Sequence, residues 1–474
     1  MRASVRGAGW LLAVMLWSAC GAGPLEDEGT EAPSPGLAAP GEAPESEPAI
    51  GTEEAALTTT LRTRWVRTHE RVEFRQMAFD SSGNLYVALS YHGPATLTGV
   101  PLPWNGDPDD YHSGVAKFRP DNTLAWVRGW GPARVSRDIA YANITGFAVT
   151  PGGTVYVGGE AQQDGLRIGG RTLDNGTFLV RLSSGGTLQW ARTTRPEPNT
   201  DFTFVSFAAH PAGGFYALGN FRHFGQYPYQ LMLIRYRSDG AAAWGNIYEQ
   251  AEGSSSANPM RVAADEAGNA YVSGYSYGSV SFGGPTGPTE LSPFVFSTTS
   301  AGRHRWTRFL SVPDVGFADG LAVRDGRVVV AVGASFDGAF LLGLTTGLGT
   351  ERWRVALGNV GNEMTVSTGA RNEVLLSVAS GDASALGVPR SRPTSNLWNT
   401  TSFVARVRRT DGRVLGAANL ESSPDDDRSG VYATSCAVSN AGTLAVAGRF
   451  DGTVDFGMGP RTNANASFVL RALP

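Results

Sequence analysis

Seven copies of one short pattern, spaced about 60 residues apart, constrain this chain more than any other feature. Each copy is a turn rich in Gly, Asn, Asp or Ser followed by an apolar run: Ser82 to Ala88, Gly152 to Gly158, Gly213 to Gly219, Ala267 to Ser273, Asp325 to Ala331, Asn372 to Ser377 and Ala441 to Ala447. A period of this length marks a repeat architecture, in which a unit buries its apolar faces only by stacking on its neighbours. With 61 Gly in 474 residues, the chain has the turn positions that many short strands require.

Each copy brings three companions. A short apolar stretch such as Phe147 to Val149 or Leu321 to Val323 precedes the turn, so the two runs form a hairpin, strands a and b. A third run, strand c, follows at Val115 to Phe118, Phe178 to Arg181, Leu231 to Ile234, Phe294 to Phe296, Phe340 to Leu342, Phe403 to Arg406 and Phe468 to Arg471. Strand d carries a tryptophan at Trp126, Trp190, Trp244, Trp306 and Trp353, with Leu415 in its place in the sixth unit. In this frame strand d occurs six times. The missing copy stands at the other end of the chain, as Arg64 to Arg67 around Trp65, ahead of the first strand a. Pairing an N-terminal outer strand with three C-terminal strands closes a ring and removes its open edges. Strand b is apolar at consecutive positions, as in Leu85 to Leu89, which suits a strand covered on both faces. The expected fold is therefore all-β: a seven-bladed β-propeller over residues 61–474, four antiparallel strands per blade, the last blade closed by the N-terminal outer strand. Residues 62 to 67 are expected beside Phe468 to Leu473.

Ahead of this region the composition changes. Arg2 and Arg6 precede the apolar run Trp10 to Trp17, followed by Ser18, Ala19 and Cys20, which has the layout of an export signal and is too short for a stable transmembrane helix. Residues 21 to 60 hold six Pro and nine acidic residues without a Lys or Arg. A stretch of one charge sign and few apolar groups cannot bury a core. The expected organisation is a signal peptide over 1–19, an acidic Pro-rich tether over 20–60 and the propeller thereafter. Removing that signal and setting the tether aside leaves the propeller near charge balance, which gives no footprint for nucleic acid. Cys436 aligns with Met77, Phe147 and Phe207 and is expected as a small buried hydrophobe.

Two resemblances follow from these residues. Cys20 directly after Ser18 and Ala19 resembles the bacterial lipobox, which implies lipid attachment at Cys20 and anchoring to a bacterial membrane; Trp17 stands where the pattern usually has Leu. The stretches Gly452 to Gly457, Val280 to Gly283 and Trp190 to Arg192 resemble the unit of the bacterial seven-bladed β-propeller repeat (SBBP) family of cell-envelope proteins. The match covers roughly residues 61 to 474. It departs in the fifth unit, which lacks the Phe-Gly connector, and in the sixth, where the turn has Asn372 and Glu373 in place of Gly. The family implies the fold and an envelope location, and it supplies no reaction.

No catalytic set emerges. The six His, at 69, 92, 112, 210, 223 and 304, lack zinc-ligand spacing, and there is no Gly-x-Ser-x-Gly elbow or phosphate-binding loop. The Ser238 to Trp244 approach is similar to the Asp-box turns of sialidases, but Gly follows Asp239 at once and no arginine trio can be assigned. No cofactor-binding set of a quinone-dependent propeller dehydrogenase is visible. The acidic groups Asp107, Asp109, Asp110 and Asp425, Asp426, Asp427 offer hard oxygens for Ca²⁺ but lack a calcium-loop spacing, so solvated loops are expected and no cofactor is assigned. Trp104, Trp130 and Trp398 fall outside the strand-d tryptophan positions, and Trp104 and Trp398 sit in b–c connections, where flat rings stack on sugars or anchor protein partners. The b–c and d–a connections are the long ones, including residues 90–114, 379–402 and 416–432. The expected ligand surface is therefore the face that carries them, with Trp104, Trp398 and Asp425 to Asp427 as candidate contacts. The expectation is a monomeric, non-enzymatic binding or scaffold module on the cell envelope, its ligand an unknown protein or glycan. The alternative is a glycoside hydrolase or lyase on extracellular polysaccharide, marked by converging Asp, Glu, Arg or Tyr at the channel mouth.

Overall fold

Five of the seven a–b hairpins are organised by the residue that opens the turn. Asp80 Oδ1 accepts the backbone N–H groups of Ser82 and Asn84 at 3.0 and 2.9 Å, while Oδ2 accepts the Asn84 side-chain amide at 2.7 Å and the Tyr86 hydroxyl at 3.1 Å. Asp265 repeats the arrangement with Asn269 and Tyr271. Elsewhere Thr150 and Ser439 hydroxyls accept the N–H of Thr154 and Thr443, and His210 Nδ1 accepts that of Ala212. Four residue types do one job, because each offers a lone pair at the same place.

The computed structural model describes residues 61–473 apart from 134–138, 163–164, 195–199, 224–228, 249–254, 313–315, 335–337, 362, 390–400 and 423–429. The signal, Cys20 and the tether lie outside the described residues. Seven four-stranded antiparallel sets make up the described unit, an all-β propeller. The innermost strands are Val72–Phe79, Tyr141–Val149, Thr200–Ala209, Ser256–Ala264, Gly316–Arg324, Met364–Thr368 and Gly430–Val438. Each packs against the next, and the seventh returns to the first, which closes the ring. In every blade except the sixth, this strand carries a one-residue register shift at the same place, for example between Phe74 and Gln76 and between Ala318 and Gly320. A bulge there bends the strand at the channel.

The seam forms as the repeat count demands. Arg62–His69 pairs antiparallel with Pro460–Leu473, with Trp65 opposite Arg471 and His69 opposite Ser467. Blade 7 is thus strands 430–438, 444–455 and 460–473 plus the N-terminal strand.

Two kinds of contact tie outer strands to the blade that follows. The first is the strand-d tryptophan. Its indole N–H donates to a carbonyl in the next blade's c–d turn: Trp126 to Ser184, Trp190 to Ser238, Trp244 to Ser300, Trp306 to Thr346 and Trp353 to Arg409, all between 2.9 and 3.1 Å. Under each ring lies a glycine at positive φ, at 186, 240, 302, 349 and 412, where a Cβ would press into the indole. In blade 6 the register places Gly416, opposite Arg406, where the other outer strands have tryptophan, a correction to the place expected for Leu415. The series stops there for a topological reason: blade 7 has no c–d turn, because its strand c, Pro460–Leu473, and its strand d, Arg62–His69, come from opposite ends of the propeller. The second contact is an apolar plug from the b–c connection. Phe282 packs on Tyr248 of the preceding outer strand and on Phe294 and Phe296 of its own blade, and Phe456 fills the same role in blade 7.

Cys436 is buried in this packing, its Sγ 3.4 Å from the carbonyl oxygens of Thr365 and Leu375, and burial pushes the thiol up to about 12.

Candidate functional site

Blade 1 has the most elaborated outer edge. Its strand d runs from Leu124 to Pro132, so Trp130 belongs to the same strand as Trp126, a correction to its expected place outside the strand-d set. Gly129 and Gly131 alternate with Arg128 and Trp130. A Cβ at Gly129 would collide with Tyr91 and Pro103, and one at Gly131 with His112, so these two glycines let the b–c connection fold down over the strand. The Tyr91 hydroxyl donates to the Pro103 carbonyl at 2.5 Å and sets the position of the following residue, Trp104.

The segment after Trp104 is held from below. Asn105 donates its backbone N–H to His112 Nε2 at 3.2 Å and its side-chain amide to Asp110 Oδ2 at 2.6 Å. His112 stacks on Tyr91 with ring centroids 5.3 Å apart, and its Nδ1 faces the Asp110 carbonyl at 3.2 Å. Because Nε2 accepts, Nδ1 carries the proton and the ring is neutral. Burial lowers the His112 pKa, against the opposing pull of the Asp110 carbonyl and carboxylate. Asp110 Oδ1 takes the Ala140 N–H at 2.8 Å. Asp110 is therefore a buried clamp between blades 1 and 2, a correction to the solvated loop expected for it; four lone-pair sites on a carboxylate satisfy N–H groups that burial would otherwise strand. The Asp107 backbone N–H donates to Asn105 Oδ1 at 3.1 Å and the Asp109 backbone N–H to Asp107 Oδ1 at 3.0 Å, contacts local to the turn.

A hairpin in the b–c connection of blade 2, Leu166–Ile168 with Arg171–Leu173, completes the site. Leu166 and Arg167 pair with Pro132 and Gly131, so the hairpin extends the sheet of blade 1. Leu166 and Ile168 bury themselves with Trp130. Between these parts lies a cleft of about 1000 Å³ whose walls include Pro101, Trp104, Arg128, Trp130, Arg167 and Leu188. That volume is at the upper end for small-molecule sites.

The chemistry of the walls is specific. Trp104 is 41% exposed, the indole of Trp130 is buried, and the Trp130 N–H has no partner among the described residues. Arg128 Nε donates to the Gly186 carbonyl at 2.9 Å and Nη1 to the Val127 carbonyl at 2.9 Å, which fixes the guanidinium while leaving the side chain exposed. Arg167 is exposed on the hairpin. Among the described lining residues none is a carboxylate. The arrangement offers a flat apolar face and two cations.

Of the residues singled out in the sequence, Trp104 lines this cleft. Trp398, Asp425, Asp426 and Asp427 lie outside the described residues. The cleft runs down the rim from the b–c segment around Trp104 to the c–d turn at Gly186 and Thr187, so it reaches beyond the long-loop face. The reason is the blade 2 hairpin, which folds along the outer edge rather than rising from the end of the blade. Arg128, Trp130 and Arg167 were not candidates in the sequence. The Gly-x-Gly alternation around Trp130 was the available signal.

A second cluster faces the channel. Asp319, at the bulge of the fifth innermost strand, is 4% exposed. Burial pushes its carboxyl up to about 7, against the pull of Arg261 and with the help of Glu363. These three come from consecutive innermost strands or their approaches, in blades 4, 5 and 6. Among the described residues, no group of three or more His, Cys, Asp or Glu is disposed to hold a metal ion.

No family model matches the chain, and no curated protein matches it. Solved structures do. A quinohemoprotein alcohol dehydrogenase from Comamonas testosteroni is 11% identical, with 90% of this chain and 79% of that one covered at a TM-score of 0.43. A protein of unknown function from Dyadobacter fermentans is 12% identical, with 87% and 99% covered at 0.42. A europium-containing methanol dehydrogenase is 10% identical, with 87% and 93% covered at 0.43.

Proposed function

We propose that this protein is a cell-envelope lipoprotein, anchored through a lipid on Cys20 and built on SBBP-like repeats, that captures a glycan in the rim cleft between blades 1 and 2. The observation that carries the reading is Trp104. A large flat ring stands exposed at the mouth of a 1000 Å³ cleft, on a segment clamped by Tyr91, His112 and Asp110. Rigid presentation lowers the ordering cost of binding, and aromatic faces contribute area at little rotamer entropy. The propeller supplies the rigid frame, and the elaborated connections of blades 1 and 2 supply the surface. The test is glycan-array capture by the full-length protein in detergent. Trp104→Ala should abolish capture while the melting temperature holds, and capture that survives this change would overturn the reading. Membrane anchoring is tested separately: Cys20→Ala should move the protein from the membrane to the soluble fraction.

One observation favours a second reading, hydrolysis or elimination on an extracellular polysaccharide. Asp319, buried at the bulge of its innermost strand, feels the charges of Arg261 and Glu363, and a carboxyl that keeps its proton near neutral pH is what a general acid requires. Polysaccharide turnover that disappears in Asp319→Asn would establish it, and no turnover of the glycans captured would remove it.

A further inference from the structure

We propose that the ligand is an extended acidic polysaccharide lying along the rim, filling this cleft and a second, equivalent groove at the ring seam; the proposal rests on the glycan reading above. The second groove, about 490 Å³, lies between blades 7 and 1. It is built from the same parts as the first. Its outer strand is Arg62–His69, carrying Trp65 and Arg67; its hairpin is Thr96–Leu97 with Val100–Pro101; its floor is the c–d turn at 121–124. In the first cleft the corresponding parts are Leu124–Pro132, the hairpin at 166–173 and the turn at 186–187. Val100 lines both, so the hairpin of blade 1 is their common wall.

The tryptophans single out the same two places. Five strand-d indoles donate to the next blade's turn, as described above. Trp65 and Trp130 have buried indole N–H groups without a partner, and each lines one of the two grooves. At the seam the turn has Asn122 where the other turns have glycine, and Arg471 takes the carbonyls of Phe118, Arg119 and Pro120 in place of an indole.

Charge selects the class of ligand. Arg128 and Arg167 line the first cleft and Arg67 the second, against a single carboxylate, Asp121. Asp121 is already engaged by the Thr123 N–H at 2.9 Å and hydroxyl at 2.6 Å. Two like grooves that share a wall suit a ligand that repeats, and a polymer of uronic-acid units brings a ring face and a carboxylate to each. Simultaneous engagement raises affinity by effective concentration without any new contact.

The experiment is calorimetric titration of the full-length protein in detergent with polygalacturonate, a short galacturonate oligomer and neutral dextran, at low and physiological salt. Polygalacturonate should bind more than about tenfold more tightly than the oligomer and weaken with salt, and dextran should not compete. Arg67→Gln, a change at an exposed position, should lower polymer affinity about tenfold towards that of the oligomer and leave oligomer binding in the cleft unchanged. Dextran binding as tight as polygalacturonate would overturn the acidic class. Polymer binding that is insensitive to Arg67→Gln but lost in Trp104→Ala would overturn the second groove and leave the glycan reading intact. Failure of all three saccharides would overturn both.

Discussion

Replacing Trp353 by Leu tests the contact that joins one blade to the next. The ring is 8% exposed, lies over Gly412 of the following c–d turn and donates to the Arg409 carbonyl at 2.9 Å. Leu keeps an apolar side chain but removes the donor and part of the volume. Leaving a buried acceptor unpaired costs about 1–3 kcal/mol, and the missing ring atoms add roughly 1–2 kcal/mol for an incompletely filled space. The expected loss is therefore roughly 2–5 kcal/mol. With about 2 cal/mol/K of unfolding entropy per residue over roughly 400 residues, that loss lowers the melting temperature by about 2–6 °C. Scanning calorimetry of the full chain reads it. Trp353→Phe, which keeps a ring and loses the N–H, should show about half the shift. The reciprocal change is the sharper control: Gly416→Trp places an indole at the equivalent position opposite blade 7, which offers no c–d turn, so no stabilisation is expected. An unchanged melting temperature in Trp353→Leu, or a gain in Gly416→Trp equal to that loss, would refute the reasoning.

Further outcomes follow from the same structure. Deleting residues 61–69 strips the outer strand from Pro460–Leu473 and exposes its edge; the melting temperature should fall and self-association should appear by light scattering, and a monomer of unchanged stability would argue against closure. Asp319 is held near 7 in the fold against an ordinary 3.8, so the native state binds the extra proton between these values and stability falls as pH rises from about 4 to about 7. At about 1.4 kcal/mol per unit the effect reaches roughly 4 kcal/mol, and Asp319→Asn should remove that slope from a stability-versus-pH series. His210 acts in the opposite sense. Burial lowers it to about 4 from 6.5, so its contribution is lost as pH falls from 6.5 towards 4, and His210→Asn should flatten that acid limb. Cys436, pushed up to about 12, should resist a thiol reagent at pH 8 in the native protein and react once denatured; rapid native labelling would contradict its burial.

The ring was legible from local chemistry. Hairpin turns recur because Asp80, Thr150, His210, Asp265 and Ser439 each accept from their own turn, a short-range interaction that leaves a short-range pattern. Closure was legible because strands must balance: six strand-d runs behind seven strand-c runs leave one pairing for Arg62–His69. The missing sixth tryptophan also carried information, since an indole there has no turn to rest on at the seam, but only the strand register shows that Gly416 and not Leu415 holds its place. The ligand surface was legible only at Trp104. Arg128 and Trp130 lie 24 and 26 positions from Trp104, and Arg167 belongs to the next unit; they meet because Gly129 and Gly131 admit a loop across the strand and because Leu166 and Arg167 pair with the neighbouring blade. The unpaired N–H groups of Trp65 and Trp130 are likewise facts of packing, as is the burial of Asp110 and Asp319. Repetition writes the blade into the sequence because every unit meets the same requirement. A site is a departure from that repetition, and its members are chosen by which blades happen to be neighbours in space.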